Sequence, residues 1–213
     1  IFRKKTCINV DGLEWLRPKW KGLGALYYKT SSRLATYFFD KIITDSYEMS
    51  KIYSSLFSVE STIIAYGSTM IKTSEKDFVE KLNLKLGEYY LIVGRLIPDN
   101  NSQLILDAFQ KSKSKKKLVI VGDVPYSDNY ADKVKSFAGP KIILTGYINC
   151  QQKLSQLYNN CYAYIHGHQF GGTNPTMINA LDLNCRIIAL KTKFNLEMLK
   201  NKNAIYFEKT LDS

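Results

Sequence analysis

The sequence contains no apolar run long enough to cross a membrane. Its longest apolar segments, such as Tyr89–Val93, have the length of a β-strand, whereas a membrane-spanning helix needs about 20 consecutive apolar residues. The first residues also lack the apolar core and cleavage site of a secretory signal. These absences predict a soluble, folded, cytoplasmic protein.

The four cysteines show no metal-ligand pattern. Cys7, Cys150, Cys161 and Cys185 form no Cys-x-x-Cys pair and have no histidine at metal-ligand spacing. We therefore expect reduced, mostly buried thiols and neither a zinc site nor a disulfide framework.

Acidic residues are scarce relative to basic ones, 19 against 30, which gives a net charge of +11. This excess predicts an anionic partner, and nucleic acid, a membrane surface and phosphorylated ligands all fit. The lysines are spread over several predicted helices and no RNA-binding motif accompanies them, so a nucleic-acid partner is not expected.

Short β-branched runs alternate with segments of helical period, a pattern typical of a parallel sheet with helices on its faces. Strands are predicted at 6–10, 41–44, 61–65, 89–93, 117–121, 141–145, 162–166, 186–190 and 204–207. Helices are predicted at 22–39, 46–57, 102–111, 129–137, 151–160, 176–184 and 194–200.

A polar stretch, 68–85, divides these strands into two sets and predicts a domain boundary near Ser68. Residues 1–68 supply about three strands, whereas a doubly wound domain needs about five or six. We therefore expect two Rossmann-like domains, an incomplete one over 1–68 and a second over 69–213 that lacks its last helices. The sequence is expected to be a fragment of a larger protein.

Three predicted strands end in glycine, at Gly94, Gly122 and Gly146. The carboxyl ends of parallel strands face the ligand crevice, and glycine lets a ligand approach the backbone closely. Arg95 follows the first strand, where its planar fork suits two phosphate oxygens, although a surface arginine is the plain alternative. Tyr147 follows the third.

The segment His166–Pro175 connects a predicted strand to a predicted helix. Pro175 suits a first helical turn and Asn174 an N-cap, so the preceding residues lie at a helix N-terminus, where free N–H groups and the helix dipole bind anions. The candidate anion-binding residues here are Gly171, Gly172, Thr173 and Asn174. Asn179 lies one helical turn further on, where its side chain could bind nucleotide hydroxyls or play a purely structural role.

The only histidines, His166 and His168, both occupy this loop. The two residues are spaced i, i+2 at a strand end, and we expect such a pair to project only one ring towards the crevice. We favour His166 as the ligand contact. Metal chelation by the pair alone is not expected.

Four segments in this order resemble the donor domain of family 4 retaining glycosyltransferases: Gly94–Asp99, Val121–Asp123, Thr145–Tyr147 and the His166–Pro175 loop. With Val10–Trp15 and Ala65–Gly67, they resemble the bacterial rhamnosyltransferase branch over nearly the whole chain. The resemblance implies a GT-B α/β fold, a dTDP-rhamnose donor, a lipid-linked or growing saccharide acceptor, transfer with retention, and a role in capsule or cell-wall polysaccharide synthesis.

Three positions depart from that family. Asn100 stands where a lysine is common, and Gly171 and Asn179 stand where a pair of glutamates is common. An amide can bond a ribose diol but carries no charge, so a UDP-hexose or UDP-N-acetylhexosamine donor and a degenerate noncatalytic module remain alternatives. No Asp-x-Asp is present, so neither a metal nor a cofactor is expected.

The upstream residues would belong to the acceptor side. Asp11 and Glu14 lie in a turn, Asp45 ends a strand and Tyr66 precedes a hinge glycine; carboxylates so placed bind a hydroxyl or take its proton. A helix N-cap at Asp45-Ser46 and a packing role for Tyr66 are the alternatives. The aromatic and basic residues over 15–29 fit peripheral contact with an anionic membrane, although an amphipathic core helix also fits.

Overall fold

The computed structural model describes residues 4–10, 12–200 and 202–210, in two compact units. Among these residues, the first unit comprises 4–10, 12–67, 170–174 and 192–200, and the second comprises 68–169, 175–191 and 202–210. The first unit therefore includes two late segments that a contiguous boundary at Ser68 leaves out.

Nine strands and eight α-helices alternate along the described chain. In order they are β1 (Cys7–Asn9), α1 (Leu23–Phe38), β2 (Lys41–Thr44), α2 (Tyr47–Phe57), β3 (Ser61–Ile63), α3 (Asp77–Lys81), β4 (Tyr89–Val93), α4 (Ser102–Lys111), β5 (Lys117–Val121), α5 (Asn129–Lys135), β6 (Ile142–Gly146), α6 (Gln151–Asn160), β7 (Ala163–His166), α7 (Pro175–Asp182), β8 (Ile187–Leu190), α8 (Lys193–Met198) and β9 (Ala204–Phe207). Short 3-10 turns occupy Glu14–Leu16 and Pro98–Asn100.

The first unit contains a three-stranded parallel sheet in the order β1-β2-β3. Its core joins this sheet to α2 and α8, because the amphipathic α2 buries Met49 and Tyr53 and α8 contributes Phe194. Val10, Leu13 and Ile42 complete the buried cluster.

The second unit contains a six-stranded, wholly parallel sheet in the order β6-β5-β4-β7-β8-β9. The continuous apolar strands Tyr89–Val93 and Lys117–Val121 are interior strands of this sheet and are almost fully buried, as expected where both faces are covered. Relative to its own first strand this is the doubly wound order 3-2-1-4-5-6, whose topological switch point lies between β4 and β7.

The predicted α/β class with parallel sheets is confirmed, and every predicted strand and long helix is present within three residues at each end. The sequence did not predict α3, which lies inside the polar stretch 68–85. This helix has only five residues and buries one side chain, Val79, so it presents no repeating apolar stripe to detect.

Candidate functional site

The topological switch point of the second unit brings together two of the predicted ligand segments. Gly94 and Arg95 follow the carboxyl end of β4, and His166 is the last residue of β7; these strands are paired neighbours. In doubly wound sheets the ligand crevice opens at this place. The sheet order therefore places residues far apart in sequence at one candidate site.

The three strand-end glycines form a stepped backbone edge. The Gly94 N–H donates to the Val121 carbonyl at 2.9 Å, and the Gly122 N–H donates to the Gly146 carbonyl at 2.8 Å. Gly122 has a φ of +136°, and a Cβ built there would lie 1.9 Å from the Gly94 carbonyl oxygen. Position 122 requires glycine because the Gly94 carbonyl occupies the space that a side chain at this position would need.

Arg95 and Asn100 have different environments. Arg95 is exposed and directly follows a strand, as a diphosphate ligand must. Asn100 is buried, and its side-chain amide donates to the Arg95 carbonyl at 2.8 Å. Asn100 therefore folds the turn that carries Arg95. Tyr147, after β6, is 76% exposed.

His166 is fully buried and hydrogen-bonded through Nδ1. The Tyr164 hydroxyl donates to Thr176 Oγ1 at 2.8 Å, so it accepts from His166 Nδ1 at 2.9 Å. His166 Nε2 then carries a lone pair, and it has no hydrogen-bond partner among the described residues. Burial, and after it the neighbouring His168, holds the pKa of His166 well below 6.5, so the ring is neutral at pH 7.

The two histidine rings stack against each other. Their centroids lie 4.4 Å apart with the planes 14° from parallel, as residues two apart in a strand share one face. His168 is the less buried of the two and packs over Gly94. A Cβ added to Gly94 would lie 2.8 Å from Cε1 of His168.

Two contacts that the sequence did not predict join the loops across the switch point. The Asn101 side chain donates to the Gly167 carbonyl at 2.8 Å, and the Gln169 N–H donates to the Asp99 carbonyl at 3.0 Å. Asn101 has a φ of +54°, a conformation that asparagine tolerates better than most residues. In the sequence, only the polar run Asp99-Asn-Asn101 indicated that this turn makes hydrogen bonds to a neighbouring loop.

The predicted anion-binding residues divide between the units. Gly171, Gly172, Thr173 and Asn174 belong to the first unit, whereas α7, which begins at Pro175 as expected, belongs to the second. A Cβ at Gly171 would meet nothing within 4 Å. On α7, Asn179 accepts a hydrogen bond from the Ser68 hydroxyl at 3.3 Å.

Asp45 holds the 170–174 segment within the first unit. One carboxylate oxygen accepts from the Thr173 N–H at 2.8 Å, and the Thr173 hydroxyl donates to the Asp45 carbonyl. A Cβ on Gly172 would lie 1.8 Å from the other carboxylate oxygen. The N-cap of α2 is Ser46, which accepts from the Met49 N–H at 3.2 Å.

Glu14 lies in a cationic cluster. It accepts from Trp20 Nε1 at 3.0 Å and pairs with Arg17 at 2.7 Å and Lys19 at 3.3 Å. Burial raises its pKa, but the Trp20 hydrogen bond and the two cations outweigh burial and lower the pKa overall. A carboxylate held this way is a weak proton acceptor.

Tyr66 follows β3, and its hydroxyl accepts from the Asn9 amide at 3.2 Å. Asp11 lies outside the described residues. Within the described chain, no group of three or more His, Cys, Asp or Glu side chains is placed to hold a metal ion. The described helices include none that is long and apolar enough to cross a membrane.

A family model described as Glycosyl transferases group 1 matches residues 74–212. The chain belongs to this family. A second model, Domain of unknown function (DUF1972), matches residues 2–69. No curated protein sequence matches the chain.

Solved structures of low sequence identity share the fold. Anabaena HepE bound to UDP gives a TM-score of 0.77 at 16% identity, covering 96% of this chain and 58% of that one. Sucrose-phosphate synthase from Thermosynechococcus elongatus gives 0.79 at 13%, covering 99% and 57%. TarM, known also from S. aureus complexes, gives 0.72 at 15%, covering 98% and 41%. The chain thus spans about half the length of these proteins, and the GT-B fold is confirmed.

Proposed function

We propose that this chain carries the nucleotide-sugar half of a retaining glycosyltransferase that transfers rhamnose from dTDP-rhamnose to a lipid-linked or growing polysaccharide, in capsule or cell-wall synthesis. The observation that carries the proposal is the switch point, where Gly94-Arg95 and His166–His168 meet at neighbouring strand ends. Family membership supports it.

The chemistry asked of the switch point is to hold a leaving diphosphate. Arg95 supplies an exposed, permanently charged fork, and the glycine edge lets the diphosphate approach the backbone. Neutral His166 keeps an unshared nitrogen lone pair in a buried position. Charge on the leaving group is then met by Arg95, without a metal or cofactor.

A dTDP donor fits the neutral character of Asn179. The deoxyribose of dTDP has one free hydroxyl, whereas the ribose of UDP has two. The Asn179 amide already accepts a hydrogen bond from Ser68, so it can bind one sugar hydroxyl more readily than two. A UDP-hexose or UDP-N-acetylhexosamine is the second candidate donor, because HepE and TarM have been crystallised with UDP.

Titration of the chain with dTDP, UDP and a panel of nucleotide sugars tests the donor assignment. We expect dTDP to bind more tightly than UDP, with affinity unchanged by EDTA. Tighter binding of UDP would move the assignment to the second donor. Binding without transfer to any acceptor by the full-length protein would identify a degenerate binding module.

Helix α1 supports a membrane-bound acceptor. It has no buried residue, and its large apolar side chains recur at helical spacing along one exposed stripe: Leu23, Leu26, Tyr27, Leu34, Tyr37 and Phe38. Residues 15–39 include five cations and no acidic side chain. An apolar stripe with a basic border complements the headgroups and acyl boundary of an anionic bilayer.

Vesicle co-sedimentation tests this contact. The chain should bind phosphatidylglycerol vesicles and not phosphatidylcholine vesicles. The double variant Leu26→Ser with Phe38→Ser should weaken vesicle binding at least about ten-fold, because two apolar side chains that would enter the bilayer are lost. Leu86→Ser with Ile205→Ser removes exposed apolar residues of the second unit and serves as the control. Equal binding by both pairs would exclude α1 as the membrane contact.

A further inference from the structure

Two cysteines that are 24 positions apart in sequence share one hydrogen-bond acceptor. Cys161 Sγ donates to the Tyr158 carbonyl at 3.2 Å, and Cys185 Sγ donates to the same oxygen at 3.3 Å. The two sulfur atoms therefore lie no further apart than the sum of those distances. A hydrogen bond between the two thiols, followed by burial, raises the pKa of Cys161.

The backbone geometry of this pair suits a disulfide. Cys161 has an extended backbone just before β7, and Cys185 lies just before β8. Strands β7 and β8 are paired neighbours, and each cysteine lies two residues before its strand. Both Sγ atoms approach the same Tyr158 carbonyl oxygen, so the two side chains converge, as a disulfide requires.

We propose that Cys161 and Cys185 are a redox-active dithiol site. Small-molecule disulfides such as oxidised glutathione oxidise this pair to an intramolecular disulfide. One thiolate attacks the glutathione disulfide and releases one glutathione. The second cysteine loses its proton to solvent and attacks the mixed disulfide, releasing the second glutathione. Two protein thiols are oxidised and one glutathione disulfide is reduced to two thiols.

The bond would enclose the candidate donor loop. The ring from Cys161 to Cys185 contains β7, the whole His166–Pro175 loop and α7. Closing a ring of about 25 residues restricts the unfolded chain. Oxidation is therefore expected to raise Tm by about 5–10 °C.

Peptide mapping gives a direct test, because no lysine or arginine lies between Lys153 and Arg186. Trypsin therefore releases both cysteines in the single peptide Leu154–Arg186. After exposure to oxidised glutathione at pH 8.5, where the raised pKa of Cys161 is less limiting, this peptide should lose about 2 Da and resist alkylation. Dithiothreitol should restore two alkylation sites.

Matched variants separate this pair from the exposed cysteines. The double variant Cys7→Ser with Cys150→Ser should form the disulfide and show the Tm increase, whereas Cys161→Ser and Cys185→Ser should show neither. Glutathione adducts in place of an internal bond, cross-links confined to Cys7 or Cys150, a fully alkylated peptide, or a disulfide with unchanged Tm would each overturn the proposal.

Discussion

The Asp45 carboxylate accepts a hydrogen bond from the Thr173 backbone N–H at 2.8 Å, across 128 positions of sequence. Both residues belong to the first unit. Asp45 is buried, and the Thr173 hydroxyl donates back to the Asp45 carbonyl. These contacts make Asp45 the anchor of the 170–174 segment.

Replacing Asp45 tests the anchor. Asp45→Asn keeps an oxygen acceptor but removes the charge that strengthens the bond to Thr173, so we expect a loss of about 1–3 kcal/mol in the free energy of unfolding. Denaturant unfolding measures this loss. Asp132→Asn, at an exposed position, is the control and should change stability by less than about 0.5 kcal/mol. Equal effects of the two changes would remove the anchoring role.

Gly172 tests the same contact from the other side. A Cβ there would lie 1.8 Å from an Asp45 carboxylate oxygen, so Gly172→Ala must displace either the carboxylate or the loop. We expect Gly172→Ala to destabilise by about 1–3 kcal/mol. Gly139→Ala, whose Cβ would meet its nearest atom only at 3.9 Å, should be nearly neutral. Thermal unfolding of the two variants distinguishes crowding from a general effect of replacing glycine.

The sequence predicted secondary structure well because its strands are short, apolar and bounded by glycine. Tyr89–Val93 is continuously apolar since both sheet faces are covered, and Ser102–Lys111 has a clear helical stripe. Contacts that depend on sheet order had no local signal. The pairing of β7 with β8 joins Cys161 to Cys185, and chain segments 128 positions apart join at Asp45 and Thr173. Neither pairing leaves a spacing pattern.

Glu14→Gln tests whether the charge of the Glu14 carboxylate stabilises the fold, and denaturant unfolding measures the effect. Its lowered pKa means that Glu14 stabilises the fold above its unfolded value of 4.5, and that this contribution is lost as pH falls through the lower folded value. We expect a loss of less than about 1 kcal/mol at pH 7, since the pairs are partly exposed, and a smaller loss at pH 4. Glu75→Gln, at an exposed site, is the control. A stability loss that does not shrink at pH 4 would contradict the ionic explanation.

His166 should make stability depend on pH near neutrality. Its folded pKa lies well below 6.5 because of burial and His168. Between the two pKa values the unfolded chain therefore binds a proton at His166 that the folded chain does not bind. This contribution to stability is complete above pH 6.5 and is lost as pH falls below 6.5 toward the folded value, by up to about 1.4 kcal/mol per pH unit. Denaturant unfolding between pH 7.5 and 5.5 measures the slope. His166→Asn should flatten it by one proton, whereas His168→Asn should retain most of it, because burial is the larger cause of the lowered pKa. An unchanged slope in His166→Asn would contradict the lowered pKa of His166.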